Sequence, residues 1–466
     1  MKTSRSVIPA KAGIQGTAMD QVLENTGIEM HRLMKRLFPI GRSLTGNGVR
    51  ETLRIIKEHI PIKFHEIPTG TKAFDWTVGK EWNIKDAYIL DPQGKKIIDF
   101  KKNNLHVMGY SVPVNKSLSL DEIQPHLYSL PKQPDAVPYV FSYYKERWGF
   151  CLAHRQRLKL KKGQYRVVID STLKDGHLTY GECIIPGKTD REIFLSSYVC
   201  HPSMANNELS GPVVLTYLAK WIMAIPKHFT YRLVFIPETI GSIIYLSRHL
   251  DRLKKKVETG FHLSCIGDER AYAYVASPYG NNLADRIAAN VLRSMDGRNK
   301  KVHSFLERGS DERQYCSPGV DLPMVTLCRS KFGTFPEYHT SLDDLKLVTP
   351  SGLLGGYNYA RQCLEAAEAN RNYRITCLGE PQLGKRDLYP SVGGLKGDVR
   401  RAGSFEVREL MDFITYADGT NDLIAISDIT GVPVNKLNAM AIRLLEDGLL
   451  REVKKGAITR KGILYG

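Results

Sequence analysis

Apolar residues along the chain follow two rhythms, and the switches between them outline the fold. Over 193–221, IFLSSYVCHPSMANNELSGPVVLTYLAKW, a run of apolar, aromatic and β-branched residues predicts a buried strand. Val213, Leu215, Leu218 and Ala219 then fall at helical spacing. The alternation continues as strand 231–236, helix 241–256, strands 259–266 and 271–276, helix 280–296, strand 323–328 and helix 350–370, the order of an α/β domain. Upstream, 28–59 reads as two helices split at Pro39 and Gly41, with Ser43 expected as a cap and Arg42 a candidate to face the site. Residues 62–70 follow as the first strand, and 165–173 with 178–187 are predicted to form a hairpin feeding the central strand.

Two stretches break this pattern. From about 71 to 163 the apolar runs are short, alternating and punctuated by Pro and Gly, with no long helix, so an inserted β-rich domain is expected. Its Tyr139, Tyr143, Tyr144 and Trp148 suit either a substrate cleft or, preferably, the insert's own core. After a Gly-rich basic linker at 384–403, the chain reads as three helices and a β-wing, the Thr430-Gly431 turn being the break of a helix-turn-helix. The expected division is a disordered leader over 1–18, an α/β domain from 19–70 and 164–380, the insert at 71–163, and linker plus winged helix over 381–466.

Composition narrows the class. With 42% hydrophobic and 25% charged residues the chain is an ordinary globular protein, and no apolar run is long enough to span a bilayer, so no membrane partner is expected. The leader lacks the apolar core of a secretion signal, and eight singly scattered cysteines suggest reduced thiols, which together point to the cytoplasm. Cys200 is expected to be a packed thiol. Of the formal charge of +17, residues 19–380 carry +12 and the last 86 residues only +2. An anionic substrate or a basic surface accounts for the excess as well as DNA does. The recognition-helix candidates Asn435, Lys436, Asn438 and Arg443 lie in a nearly neutral module, so packing or homo-oligomerisation is expected there ahead of nucleic-acid binding.

The polar turn after the central strand holds His201, Asn207 and Glu208, oxygen and nitrogen donors placed where a parallel sheet opens its ligand crevice. FIPETIGS (235–242), HLSCIGDE (262–269) and FPEYHTSLDDL (335–345) repeat the scheme of an apolar approach and a polar or acidic end. This succession resembles the zinc aminopeptidase and glutamate carboxypeptidase family. It is most similar to a bacterial aminopeptidase-like branch with an inserted domain and a C-terminal winged helix, associated with polysaccharide biosynthesis. The resemblance, covering the chain from about Met30 onward, implies a doubly wound mixed α/β sheet carrying zinc. It implies His201 and His339 as metal ligands, Glu238 as general base, Tyr338 as a phenol beside the tetrahedral intermediate, and Asp343 or Asp344 orienting His339.

Three positions depart from that pattern: Asn207 replaces the bridging aspartate, Thr239 the glutamate ligand after the base, and Ser264 the acidic ligand of the HLSCIG strand. Two zinc ions need several carboxylates to balance their charge, so one zinc is expected, two being the alternative, with Glu208 and Asp268 as replacement ligands. In GSDERQY (309–315), similar to a segment near the metals of these peptidases, Asp311, Glu312 and Arg313 are candidates to grip a charged substrate end. No Gly-rich phosphate loop or nucleophile elbow occurs, which removes kinase and serine-hydrolase readings. The expectation is a metal-dependent aminopeptidase-like hydrolase of a small peptide or amide. The alternative is a degenerate peptidase fold acting as a ligand-binding or DNA-binding regulator.

Overall fold

The computed structural model describes residues 18–297, 299–389, 401–402 and 405–454. Nearly all of the expected leader and much of the expected linker and wing therefore lie outside the described residues. Helices α1 (Ala18–Leu37) and α2 (Asn47–Lys57) open the chain, and β1 (Lys63–Pro68) follows. The N-cap of α2 is Gly46 at φ 94, with no side-chain cap, so the expected capping role of Ser43 is corrected. Next come β2 (Glu81–Leu90), β3 (Lys96–Asp99), β4 (Val114–Ser119) and β5 (Gln164–Lys174), then β6 (His177–Ile185), β7 (Glu192–Tyr198), α3 (Ser210–Ala224) and β8 (Thr230–Ile236). The α/β unit continues with α4 (Ile240–Lys256), β9 (Val257–Leu263), β10 (Tyr272–Val275), α5 (Leu283–Ser294), β11 (Lys300–His303), β12 (Met324–Cys328) and α6 (Pro350–Ala369).

Eight strands form one mixed sheet in the order β1-β6-β8-β7-β9-β12-β10-β11. Its centre, β8-β7-β9-β12, is parallel, and β7 and β8 are buried at every position, as expected of strands covered on both faces. The expected hairpin does not form: β5 joins β2 and β4 in the sheet of the insert, whereas β6 pairs with β1 and β8. Both strands alternate along their length, but each matches a different partner surface, which pattern alone cannot choose. The insert has its own core around Ile89, Phe150, Val167 and Ile169, and Trp148 stacks there on His126 at 3.5 Å.

The C-terminal part contains α7 (Val407–Tyr416), α8 (Leu423–Thr430) and α9 (Val434–Glu446), with β13 (Asn372–Ile375) between β14 (Asp418–Asp422) and β15 (Leu450–Val453). Thus 372–375, ahead of the expected boundary at 381, is a strand of this module's sheet. The apolar core runs without interruption from the large sheet through α6 into Leu410, Phe413, Leu437 and Leu444. Polar contacts reinforce this docking: Arg286 pairs with Asp422, and the Asn290 amide donates to Ser427 Oγ at 2.9 Å and Asp428 Oδ1 at 2.7 Å. Asn435 and Asn438, at the start of the would-be recognition helix, line a cavity closed by α5 and α6.

Candidate metal and catalytic site

The site forms where the central parallel strands end, the position at which this sheet order opens a crevice. His201 follows β7, Glu238 follows β8, and His339 arrives on the loop after β12. The two imidazole centroids lie 5.5 Å apart. His201 Nε2 is 3.6 Å from Glu238 Oε2, while its Nδ1 is 3.0 Å from Glu208 Oε2. Glu208 Oε2 also accepts the His201 backbone N–H at 3.0 Å, and the carboxylate sits 3.3 Å from the Arg42 guanidinium. Arg42 is buried: its Nε donates to the His201 carbonyl at 2.9 Å and its Nη1 to the Leu37 carbonyl at 2.8 Å. The break between α1 and α2 therefore delivers Arg42 into the site, in the role for which Glu208 needs a counter-charge.

Glu238 is fixed by Ser310, whose hydroxyl donates to Oε1 at 2.7 Å and lies 3.0 Å from His262 Nε2. Burial raises the Glu238 pKa to about 7, with His201 and the Ser310 hydrogen bond opposing and the Asp311 carboxylate adding. Such a carboxyl group is half-ionised near neutrality, as a general base should be. The next residue, Thr239, sits at φ 66 and ψ −76, a strained conformation for a β-branched residue. It is held by its N–H to Asp311 Oδ1 at 2.8 Å and by Arg313, which donates to its hydroxyl at 2.7 Å.

His339 is built differently. Its backbone is also left-handed, at φ 56, and its carbonyl accepts the Tyr139 N–H at 2.9 Å. Tyr338 stacks on the ring at 3.9 Å, and Tyr139 of the insert stands edge-on to both His339 (5.1 Å) and His201 (5.3 Å). Burial, reinforced by repulsion from His201, lowers the His339 pKa to about 3, so the ring is neutral and keeps a lone pair. Its Nε2 is buried without a hydrogen-bond partner, and so is Asn207 Oδ1. Glu208 Oε1 has no hydrogen-bond partner either, and the Asn207 amide contacts Tyr198, whose ring lies 5.2 Å from that of His201; acceptors of this kind around two imidazoles suit a divalent cation.

Other expected site residues have different employment. Both Asp268 oxygens accept hydrogen bonds, from Ser330, the Asn206 amide and the Arg270 N–H. Asp343 does not orient His339: its carboxylate accepts the Asn206 and Asn207 N–H groups, and Asp344 caps its own turn through the Lys346 N–H. Burial leaves Asp343 with a pKa of about 7. Asp311 is buried against Thr239 and Ser242, and Glu312 against Gly309, Ser310 and Thr326, so neither offers a substrate grip. Ser264 bonds to the Tyr198 hydroxyl at 2.8 Å.

Cys200, His201 and Glu208 place donor atoms within 4.8 Å of one another, a spacing that a metal tolerates. In the metal-free protein burial pushes the Cys200 thiol up to about 11, which a bound cation would reverse, and Glu208 Oε2 accepts the His201 N–H while its carboxylate pairs with Arg42, so Glu208 serves His201 as it stands. Sequence reasoning weighed Tyr139 for a cleft but preferred the insert's own core, and it underrated Arg42. The signal available was a lone arginine in a helix break with no nearby acid to pair with.

Comparison with known proteins agrees with this architecture. A sequence profile of a domain of unknown function, DUF4910, matches residues 31–370, and a winged helix-turn-helix profile matches 371–452. A Clostridium acetobutylicum protein described as a candidate polysaccharide biosynthesis protein with an aminopeptidase-like domain is 44% identical over 432 residues, covering 92% of this chain and 97% of its own length. A crystal structure from Clostridium acetobutylicum, described as a candidate peptidase, superposes with a TM-score of 0.86 at 43% identity, covering 93% of this chain and 98% of its own. A zinc aminopeptidase from Bacillus subtilis shares the fold, with a TM-score of 0.52 at 11% identity over 74% of this chain and 94% of its own. The chain has an aminopeptidase-like α/β fold with a C-terminal winged helix and belongs to the DUF4910 family.

Proposed function

We propose that the protein is a metal-dependent hydrolase of a small peptide or amide, with one divalent ion, preferentially zinc, held by His201, His339 and the Asn207 amide oxygen. The observation that carries this reading is a carboxylate, Glu238, fixed by Ser310 and facing the His201 imidazole, with a second imidazole, His339, 5.5 Å from the first and its Nε2 buried without a partner. When bound, a divalent ion supplies positive charge that polarises an amide carbonyl and acidifies water. Glu238 takes the proton of the attacking water and returns it to the leaving nitrogen, work for which a pKa of about 7 suits it. Tyr338, stacked on His339, keeps its proton because burial raises its pKa, and it is positioned to donate a hydrogen bond to the developing oxyanion. Glu208 and Arg42 orient His201. Tyr139 excludes water from the two rings.

The test is hydrolysis of dipeptides, amino-acid amides and N-acyl amino sugars by the purified protein, before and after chelation and metal return. The sugars are included because the Clostridium acetobutylicum relative is described in terms of polysaccharide biosynthesis. Glu238→Gln is expected to lower the rate by about 10²–10⁴-fold while leaving the fold intact. Retention of full activity by that variant would remove the proposed base.

A second reading, a ligand-sensing protein without hydrolysis, is favoured by Asn207, Thr239 and Ser264, which stand where the resembling peptidases carry carboxylates. For a DNA-reading form, α9 would have to leave the enzyme domain, because Asn435 and Asn438 face the cavity against α5 and α6. Salt-dependent binding to duplex DNA by the intact chain would support it.

A further inference from the structure

We propose that a pocket of about 290 Å³ between β11, Arg270 and the 329–336 loop binds the phosphate group of a ligand. Four cationic side chains, Arg270, Lys301, Arg329 and Lys331, line it together with His303, and among the described residues no acidic side chain does. Arg329 is only 6% exposed, and Lys331 8%. The Arg329 guanidinium lies 3.9 Å over the Tyr272 ring and donates to the carbonyls of Ala271 and Gly352, but among the described residues it has no ion-pair partner. Asp268 and Glu269 act on it only from a distance, and a buried cation without a paired counter-charge is unfavourable unless something supplies one.

The neighbouring acids are already engaged. Glu337 takes Arg270 bidentately at 2.8 Å, Glu307 lies 3.1 Å from His303 and 4.0 Å from Lys331, and Asp268 accepts from Ser330. Two positive charges, on Arg329 and exposed Lys301, remain unmatched by any ion pair among the described residues. A phosphate carries nearly two negative charges at neutral pH, and its oxygens suit an arginine fork, whereas a monocarboxylate would balance only one. This site is independent of the metal site in its residues, although the loop that frames it leads directly into Tyr338 and His339.

Titration calorimetry of the full-length protein with inorganic phosphate tests the assignment. One phosphate per chain is expected, with affinity reduced about tenfold or more in Lys301→Glu, an exposed position where the fold should be unaffected. Arg329→Met should weaken binding further, with circular dichroism reporting on its fold. No saturable binding up to about 10 mM, or binding unchanged in Lys301→Glu, overturns the proposal. Binding that disappears in His339→Ala but persists in Lys301→Glu also overturns it, because the anion then belongs to the metal site.

Discussion

The two histidines of the site lie 5.5 Å apart in opposite surroundings. His201 is flanked by Glu208, Glu238 and Arg42; burial alone would lower its pKa, but Cys200, Tyr139 and Glu208 together hold it well above the usual imidazole value. His339 has no acid against its ring, is neutral down to about pH 3 and leaves Nε2 unpartnered. One imidazole is oriented by a carboxylate from behind, the other by aromatic stacking. On the proposed reading, the contrast accounts for a cation site with Asn207, Thr239 and Ser264 where the resembling peptidases carry acids: Glu208 would act through His201, and the remaining donors are largely neutral, which favours one divalent charge over two.

The comparison breaks most readily at its neutral member. His339→Ala is expected to reduce zinc affinity by more than about 100-fold, beyond the loss typical of residues that act through a ligand, as measured by competition with a chromophoric chelator. Unchanged affinity would mean that the cation does not use this ring. At the other histidine, Glu208→Gln should reduce affinity by about 10–100-fold, because His201 loses the acceptor that fixes it. The same change leaves Arg42 buried without its counter-charge and is expected to cost about 3–5 kcal/mol in urea unfolding. Arg42→Met combined with Glu208→Gln should recover part of that loss, which a simple packing defect would not.

Much of the scaffold was legible in the sequence because period and burial agree. The runs at 193–199, 231–236 and 323–328 are continuous and apolar, as strands covered on both faces must be, and the polar residues at their ends mark the crevice. His201 was singled out for that reason, and Glu238 and His339 through the resemblance to the zinc aminopeptidases. Partner choice was not legible. β5 and β6 look like a hairpin because four-strand pairing alternatives share one alternation, and Asp343 looked like a partner for His339 because nearness in sequence was the only guide. Arg42 and Tyr139 reach the site from segments 159 and 62 residues before His201, a distance that motif spacing cannot bridge.

Asn207 tests the charge argument between the two rings. Asn207→Asp introduces a carboxylate at the proposed third ligand, where Oδ1 is already free of hydrogen bonds. Tighter binding by about tenfold, or a stoichiometry rising from one towards two ions, is expected by calorimetry and metal analysis. If the wild-type chain already binds two, the single-ion account fails.

A last effect separates the histidines by sign. Consider unfolding of the metal-free protein as a function of pH. His339 has its pKa lowered from 6.5 to about 3, so the stability it contributes is present above pH 6.5 and is lost as the pH falls towards 3, because the unfolded ring binds a proton and the folded one does not. His201, raised above 6.5, behaves oppositely: its contribution is present below 6.5 and lost as the pH rises through its folded value. Glu238, raised to about 7, acts in the same direction as His201, with full stabilisation below its unfolded value near 4.5 and loss on the way to neutrality. His339→Asn should therefore flatten the acid limb, sparing up to about 3 kcal/mol between pH 7 and pH 4, and leave the alkaline limb above neutrality alone. Glu238→Gln should remove the loss of stability between about pH 4.5 and 7, opposite in sign to His339→Asn over the range they share, and leave the fall below pH 4.5 alone. Variants that shift both limbs together would mean that the two sides of the site titrate as one group, and the asymmetry between the rings would not exist.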